Sequence, residues 1–264
     1  MLAAERQALI LDEVQRRGAA TVSDLAGRFG VSDMTIRRDL DTLVARGELD
    51  KVHGGATSKR SPSTDEPGFR TKQLRQQAEK EAIARAAAEL VEPGSAVGLS
   101  AGTTTWTLAR RLREIPRLTV VTNSIRIADE LHDDDRTDLD VVLTGGVRTP
   151  SDALVGPVAV SSLHQLHLDV VFLGVHGMDA GAGFTTPNLL EADTDRALVA
   201  AGRRLVVVAD HTKWGTVGIS TIAGLAGADV LVTDDGLPAD AREALADQVG
   251  ELILAPTHPM DGHR

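Results

Sequence analysis

Two short stretches carry side chains whose types and spacing suit a definite chemistry. In the first, Val31-Ser32-Asp33-Met34-Thr35-Ile36-Arg37-Arg38-Asp39-Leu40 follows Gly30. Serine before a helical run accepts hydrogen bonds from first-turn N–H groups and so starts the helix, the role read for Ser32. At ~100° per residue, Ile36, Leu40, Leu43 and Val44 then share one face, while Met34, Thr35 and Arg38 point away from it. An outward guanidinium at Arg38 matches the paired acceptors on a guanine edge, and Thr35 and Met34 suit thymine methyls or the backbone. Arg37 sits on the flank, better set for a phosphate. The chemistry expected is recognition of double-stranded DNA in its major groove.

In the second, the apolar run Ala96–Leu99 leads into Ser100-Ala101-Gly102-Thr103-Thr104-Thr105. A strand that turns into a helix there gathers free N–H groups, the positive end of the helix dipole and three hydroxyls, which suits a phosphate. Threonines also cap helices for structural reasons alone, so both readings stand on local grounds. Three further segments end apolar runs with polar groups: Thr122-Asn123-Ser124, Thr144-Gly145-Gly146-Val147-Arg148, and Ala209-Asp210-His211-Thr212-Lys213. The Gly145-Gly146 pair allows close backbone approach, and Arg148 and Lys213 supply cations. In open α/β sheets ligands sit beyond the carboxyl ends of the strands, so these loops are expected to meet over one anionic small molecule.

The positioning elements follow from periodicity and punctuation. Residues 3–17 read as a helix with Leu9, Ile10 and Val14 on one face, and Thr21-Val22-Ser23-Asp24 has the form of a capping box opening a second. Ala26 is small where helices cross, Gly30 permits the turn, and Leu49, Val52 and Gly54-Gly55 suggest a hairpin. There Lys51 and His53 would reach sugar-phosphate or the minor groove. Residues 1–57 are thus expected to form a winged helix-turn-helix, and the Ser- and Pro-rich residues 58–69 a linker. One long helix is expected over 70–91. Seven β-rich runs then alternate with helical patterns to the end of the chain, which predicts an α/β domain over 70–264 with a mostly parallel sheet.

The chain of 264 residues has a formal net charge of −10, which looks wrong for a DNA-binding protein. The charge is unevenly spread: residues 1–60 hold 10 Lys and Arg against 9 Asp and Glu, and the rest hold 18 against 29. A locally basic face on the first part can still dock on phosphates. Cysteine is absent, which rules out disulfides and thiolate metal sites. No apolar run approaches the ~20 residues that span a bilayer, and Met1–Arg6 lacks a signal-peptide core. The expectation is a cytoplasmic protein without membrane association.

The string Val31–Leu40, with Lys51-Val52-His53-Gly54-Gly55-Ala56 behind it, resembles the N-terminal signature of the DeoR family of bacterial sugar-metabolism regulators, and the likeness runs to about Asp234. The resemblance implies a repressor, homo-oligomeric as a dimer or tetramer, that leaves operator DNA when a phosphorylated sugar binds; no other cofactor is implied. It also implies a second domain similar in fold to ribose-5-phosphate isomerase. By that likeness Gly102, Thr103 and Thr104 match a phosphate loop. Gly174-Val175-His176-Gly177-Met178-Asp179 matches a loop reaching sugar hydroxyls through His176 and Asp179, and Asp210 and Lys213 match a carboxylate–lysine pair. One departure is Ser100, where the family commonly carries Asp.

An alternative reading is a sugar-phosphate isomerase joined to a DNA-binding module. It needs a tuned base, and Glu191 or Asp195 are the obvious suppliers; both, like Asp193, read instead as surface charge on an exposed helix. His164 and His167 lack a third metal ligand nearby in sequence, and Asp133-Asp134-Asp135 reads as a solvated loop. Trp106 reads as helix packing, and Trp214 as either a pocket wall or core.

Overall fold

The structure is a computed structural model that describes residues 3–257 apart from 18, 47, 53, 59–63, 65–67, 134 and 135. Contacts divide the chain into two units, Met1–Pro62 and Ser63–Arg264.

In the first unit, α1 (Ala3–Arg17) and β1 (Ala19–Thr21) precede α2 (Val22–Phe29), α3 (Asp33–Ala45), β2 (Leu49–Val52) and β3 (Gly55–Ser58). The capping box forms: the Thr21 hydroxyl accepts from the Asp24 N–H at 3.1 Å and donates to the Asp24 carboxylate at 2.8 Å. Gly30 ends α2 in the left-handed region, at φ 63°, where a Cβ is unfavourable. Ile10, Val14, Leu25, Ile36, Leu40 and Leu43 interdigitate as the core. Two ion pairs with buried carboxylates tie the helices: Arg6 donates to Asp39 at 2.6 Å, and Arg28 to Glu13 at 2.5 Å. The three short strands pair antiparallel in the order β1-β3-β2 and make the wing.

The second unit starts with α4 (Phe69–Gln73) and α5 (Gln77–Ala88). The single helix expected over 70–91 is therefore broken at Leu74–Gln76, with Gln76 left-handed at φ 49°. The break has a chemical cause. The Lys80 ammonium donates to the carbonyls of Lys72 and Arg75, each at 2.5 Å, taking acceptors that a continuous helix would have used.

The chain continues as β4 (Ala96–Leu99), α6 (Thr103–Leu112), β5 (Leu118–Thr122), α7 (Ile125–Leu131), β6 (Leu139–Leu143), β7 (Val147–Arg148), β8 (Leu154–Val155) and α8 (Pro157–Leu163). Then come β9 (Val170–Gly174), β10 (Gly177–Asp179), β11 (Gly183–Thr186), α9 (Leu189–Ala201), β12 (Leu205–Val208), β13 (Ser220–Ala223), β14 (Val230–Asp234), α10 (Ala239–Ala246) and β15 (Leu252–Ala255). Seven strands form one parallel sheet in the order β15-β14-β12-β9-β4-β5-β6. Successive strand residues go to opposite faces, and both faces are buried through the central strands, while the edge strand β6 leaves Val142 and Leu143 exposed. Val120, Phe172 and Val206 pack with Ile83, Leu108 and Ile127. Val121, Val171 and Val207 pack with Leu163, Leu198 and Leu245. The strand order reverses between β4 and β9, so their carboxyl ends flank a topological switch point.

A small antiparallel sheet, β10-β11-β13, lies outside the main one. Gly177–Asp179, expected as part of a loop, is a strand of that sheet because its backbone pairs with Gly183–Thr185. No helix among the described residues is long and apolar enough to cross a membrane.

Candidate functional site

On the first unit, α3 presents an exposed face of Met34, Arg37 and Arg38, and Met34 is 62% exposed. Thr35 is half-buried, and its hydroxyl shares a 2.9 Å hydrogen bond with that of Ser32, which also caps the Thr35 N–H at 3.3 Å. These two residues therefore first of all build the helix start. Arg37 and Arg38 stay on the solvent face while Ile36 and Leu40 are buried. Lys51 on the wing is exposed and pairs with Asp41 at 2.5 Å; such an exposed pair costs little to open in favour of a phosphate. His53 lies outside the described residues.

On the second unit, the switch point holds the Gly-Thr-Thr-Thr turn. The Ser100 hydroxyl, fully buried, accepts the Gly174 N–H at 2.9 Å and joins β4 to β9 at their carboxyl ends. Asn123 accepts the Ala101 N–H at 2.8 Å through Oδ1 and donates to the Leu154 carbonyl at 3.2 Å. Its side chain is thus consumed in shaping the turn. The helical bonding of α6 begins with the Trp106 N–H on the Gly102 carbonyl, so the N–H groups of Thr103, Thr104 and Thr105 precede any intrahelical acceptor. All three threonines are buried, and the Thr105 hydroxyl is turned back to the Gly102 carbonyl at 3.1 Å.

Across β9, the carboxyl end of β12 supplies Asp210, His211 and Lys213. Asp210 is buried and caps the short turn after it, accepting from the Thr212 N–H at 3.1 Å and from the Thr212 hydroxyl. Burial alone would raise the Asp210 carboxyl, but Lys213, the Thr212 hydrogen bond and Lys80 outweigh it and hold it below the usual range. Lys80 reaches the same neighbourhood from α5. Burial lowers its ammonium to about 8, against the opposing pull of Asp210 and with Lys213 adding to the drop. His211 Nδ1 lies 2.6 Å from the buried Asp234 carboxylate, and this hydrogen bond raises the imidazole above its ordinary value despite partial burial.

The sequence reading missed Lys80 and the His211–Asp234 pair. Lys80 was legible in principle, because Lys80, Ile83, Ala84 and Ala87 fall at the spacing of a single helix face, and all four are buried.

The remaining expected residues divide. Gly146 is left-handed at φ 119°, and a Cβ there would lie 2.6 Å from the Val155 carbonyl, so the close backbone approach is real. Gly145 beside it is left-handed too, at φ 75°. Arg148 is exposed but paired to Asp152, which also takes Arg126 at 2.7 Å. Burial would raise Asp152, and these two hydrogen bonds hold it low instead. His176 is half-buried with its N–H on the Thr185 carbonyl at 3.1 Å. Asp179 is occupied in its own turn, accepting from the N–H groups of Gly181 and Ala182.

The reading of Glu191 and Asp195 as surface charge is corrected: Asp195 is buried, and Glu191 is half-buried and takes hydroxyls from two loops. The helical pattern that placed them outward carries no information on the β7–β8 turn, whose Thr149 and Ser151 hydroxyls meet Glu191. Trp106 packs edge-on against Phe69 at 6.1 Å between ring centroids. Trp214 is half-buried against the apolar cluster of α9 and α10. Among the described residues no group of three His, Asp or Glu side chains is placed to hold a metal.

A winged helix-turn-helix followed in the chain by a separate α/β unit is the make-up of a transcription regulator. The chain matches the DeoR-like helix-turn-helix domain over residues 6–62 and the DeoR C terminal sensor domain over residues 75–235. It is 34% identical over 253 residues to a putative aga operon transcriptional repressor of Escherichia coli O157:H7, covering 95% of this chain and 93% of that one. It is 37% identical to the HTH-type transcriptional regulator GlpR of Haloferax volcanii, covering 93% and 95%. The chain belongs to the DeoR family of transcription regulators. Among solved structures it resembles a D-ribose-5-phosphate isomerase in complex with phospho-erythronic acid, with a TM-score of 0.38, 17% identity, and coverage of 51% of this chain and 52% of that one.

Proposed function

We propose that this regulator represses a sugar-catabolism operon and is released from DNA by a phosphorylated sugar bound beyond the carboxyl ends of β4, β9 and β12. The reading rests chiefly on the switch point at the Ser100–Gly174 contact, where three buried threonines open α6 and, among the described residues, no acceptor takes up their helix-start N–H groups. Across β9 stand Lys213 and the buried Lys80, held by Asp210. Phosphate at Gly102–Thr105 gains from the helix dipole and from the cations together. Asn123, Gly145 and Gly146 shape the crevice wall; Arg148 turns from Asp152 to the ligand, and His176 and Asp179 border the sugar. The relative named as a putative aga operon transcriptional repressor supports the repressor part of the reading.

On the DNA side, Arg38 reads a guanine, Met34 and Thr35 contact thymine methyls or backbone, and Arg37, Lys51 and His53 hold phosphates. The protein acts as a homo-oligomer on paired half-sites, as two-fold operators require. Phe69, the last residue of the stretch expected as linker, opens α4 and is packed on Trp106 of α6. A ligand that shifts the first turn of α6 therefore reaches the linker end. A thermal-shift screen of pentose and hexose phosphates tests the effector half: binding raises the melting temperature. A panel that raises it nowhere and leaves DNA affinity unchanged would sink the reading.

A further inference from the structure

The first two helices of the second unit meet at a break where local sequence favours none. Phe69, Gln73, Lys80, Ile83, Ala84 and Ala87 recur at the spacing of one helix face, and each is buried or half-buried. The stripe passes Leu74–Gln76 with no glycine or proline to stop a helix. Gln76 nevertheless stands left-handed, at φ 49° and ψ 48°, a backbone that is unfavourable for a residue with a Cβ.

One side chain holds the break. The Lys80 ammonium donates to the Lys72 and Arg75 carbonyls, each at 2.5 Å. In a straight helix the same carbonyls would take the N–H groups of Gln76 and Glu79, four residues on. The Lys72 carbonyl instead also takes the Arg75 N–H, at 3.3 Å, which tightens the turn.

Lys80 belongs to the effector crevice as well. It is buried, and Asp210 and Lys213 are the charges that act on it most strongly. Asp210 spends one oxygen on the Thr212 N–H and hydroxyl. One cation therefore faces two claims: the carbonyls that fold the break, and an anion entering beside Lys213. At the far end of α4, Phe69 packs edge-on against Trp106, with the Arg126 guanidinium 5.6 Å from its ring centroid.

We propose that Lys80 is a latch that the effector phosphate opens. Without ligand the ammonium holds the break. An entering phosphate draws it away, the Gln76 and Glu79 N–H groups take the two carbonyls, and α4 and α5 join as one helix. This rests on the effector reading above and adds the element that responds to it. A hydrogen bond between ammonium and phosphate is charged on both sides and outcompetes neutral carbonyls. The released carbonyls find new donors, and Gln76 returns to the right-handed region. The segment thus has two arrangements whose balance the ligand shifts, as coupling between sites requires. Phe69 travels with α4, so the path of the chain at the linker end changes with the state of the latch.

Amide exchange read by mass spectrometry over residues 70–80 of the full chain tests this, with a panel of pentose and hexose monophosphates as probes. With a bound monophosphate, the Gln76 and Glu79 amides should exchange about tenfold more slowly. Lys80→Met should show the slow exchange with no ligand present. Gln76→Gly relieves the left-handed strain and disfavours the joined helix, so it should weaken monophosphate binding about fivefold, whereas Gln76→Ala should strengthen it about twofold. Calorimetric titration reads both. Binding that leaves the exchange unchanged, or equal affinities for wild type and both Gln76 variants, overturns the latch and leaves the effector reading in place. Failure of every monophosphate to bind the wild type overturns both. Should Lys80→Met not fold, the two Gln76 variants, which keep Lys80, carry the test.

Discussion

The hydroxyl of Ser100 accepts the N–H of Gly174 at 2.9 Å, across the strands β4 and β9 at the place where the order of the sheet reverses. A parallel strand has no partner for its last N–H once its neighbour turns away, and a short hydroxyl fills that need without bringing charge. The proposed phosphate loop begins two residues later, so the same contact fixes its origin.

Ser100→Ala should leave the Gly174 N–H without an acceptor. The expected loss is about 2 kcal/mol for a buried unsatisfied donor, or a melting temperature lower by about 6 °C in a unit of this size. Differential scanning calorimetry reads it, and a change below 1 °C would mean that the hydroxyl supports nothing. Ser100→Asp restores an acceptor and should recover part of the stability.

Arg38→Ala should abolish sequence-specific DNA binding with no change in thermal stability, because the side chain is exposed on α3. A lost bidentate base contact costs about 1–3 kcal/mol. Arg37→Ala should instead weaken all sequences alike and reduce the slope of affinity against salt by about one ion. Fluorescence anisotropy at several salt concentrations separates the two; identical profiles for both variants would contradict the division of roles.

Asp39 is buried and holds both Arg6, at 2.6 Å, and the Gln7 amide, at 3.0 Å, so that α1 is locked on the back of α3. Asp39→Ala leaves a half-buried guanidinium without its partner and should destabilise the first unit by about 3 kcal/mol. Proteolysis within residues 1–57, with the second unit intact, is the expected signature.

The fold was legible where periodicity and capping act locally: the helix stripe of Ile36, Leu40 and Leu43, the Thr21–Asp24 box, and the doubly buried strands. The candidate site was legible only in its loops. Lys80 carries its meaning in a tertiary position, since its ammonium replaces the helical bonds of Lys72 and Arg75. Glu191 reads as an exposed position because the turn that meets it comes from forty residues upstream in the chain, as the Ser151 contact shows, and the burial of Asp195 is likewise set by tertiary packing that helical periodicity does not carry. Asn123 reads as a polar strand-end residue and Asp179 enters only through the family resemblance, and both side chains accept from backbone N–H groups nearby.

Stability should depend on pH through two groups that hold protons in the folded state. His211 has a folded pKa raised above 6.5 by its Asp234 hydrogen bond. Its contribution is fully present below pH 6.5 and is lost as pH rises through the folded value. Asp195, raised by burial and by Glu191, acts in the same sense over a window opening near 3.8. The melting temperature should therefore fall with rising pH across these windows. His211→Gln should flatten the upper part and Asp195→Asn the lower. A wild-type curve that rises through both windows would contradict these assignments.

The most direct measurement is the affinity of the full chain for DNA fragments that it enriches from a random pool, titrated with and without sugar monophosphates. The account predicts that one of them weakens DNA binding, and that DNA weakens binding of that sugar phosphate by the same factor, as linkage requires. Thr104→Val, placed in the proposed phosphate loop, should remove the sugar response while leaving DNA affinity intact. If no sugar phosphate changes DNA affinity, or if the response survives the loss of the crevice, the second unit is not the sensor described.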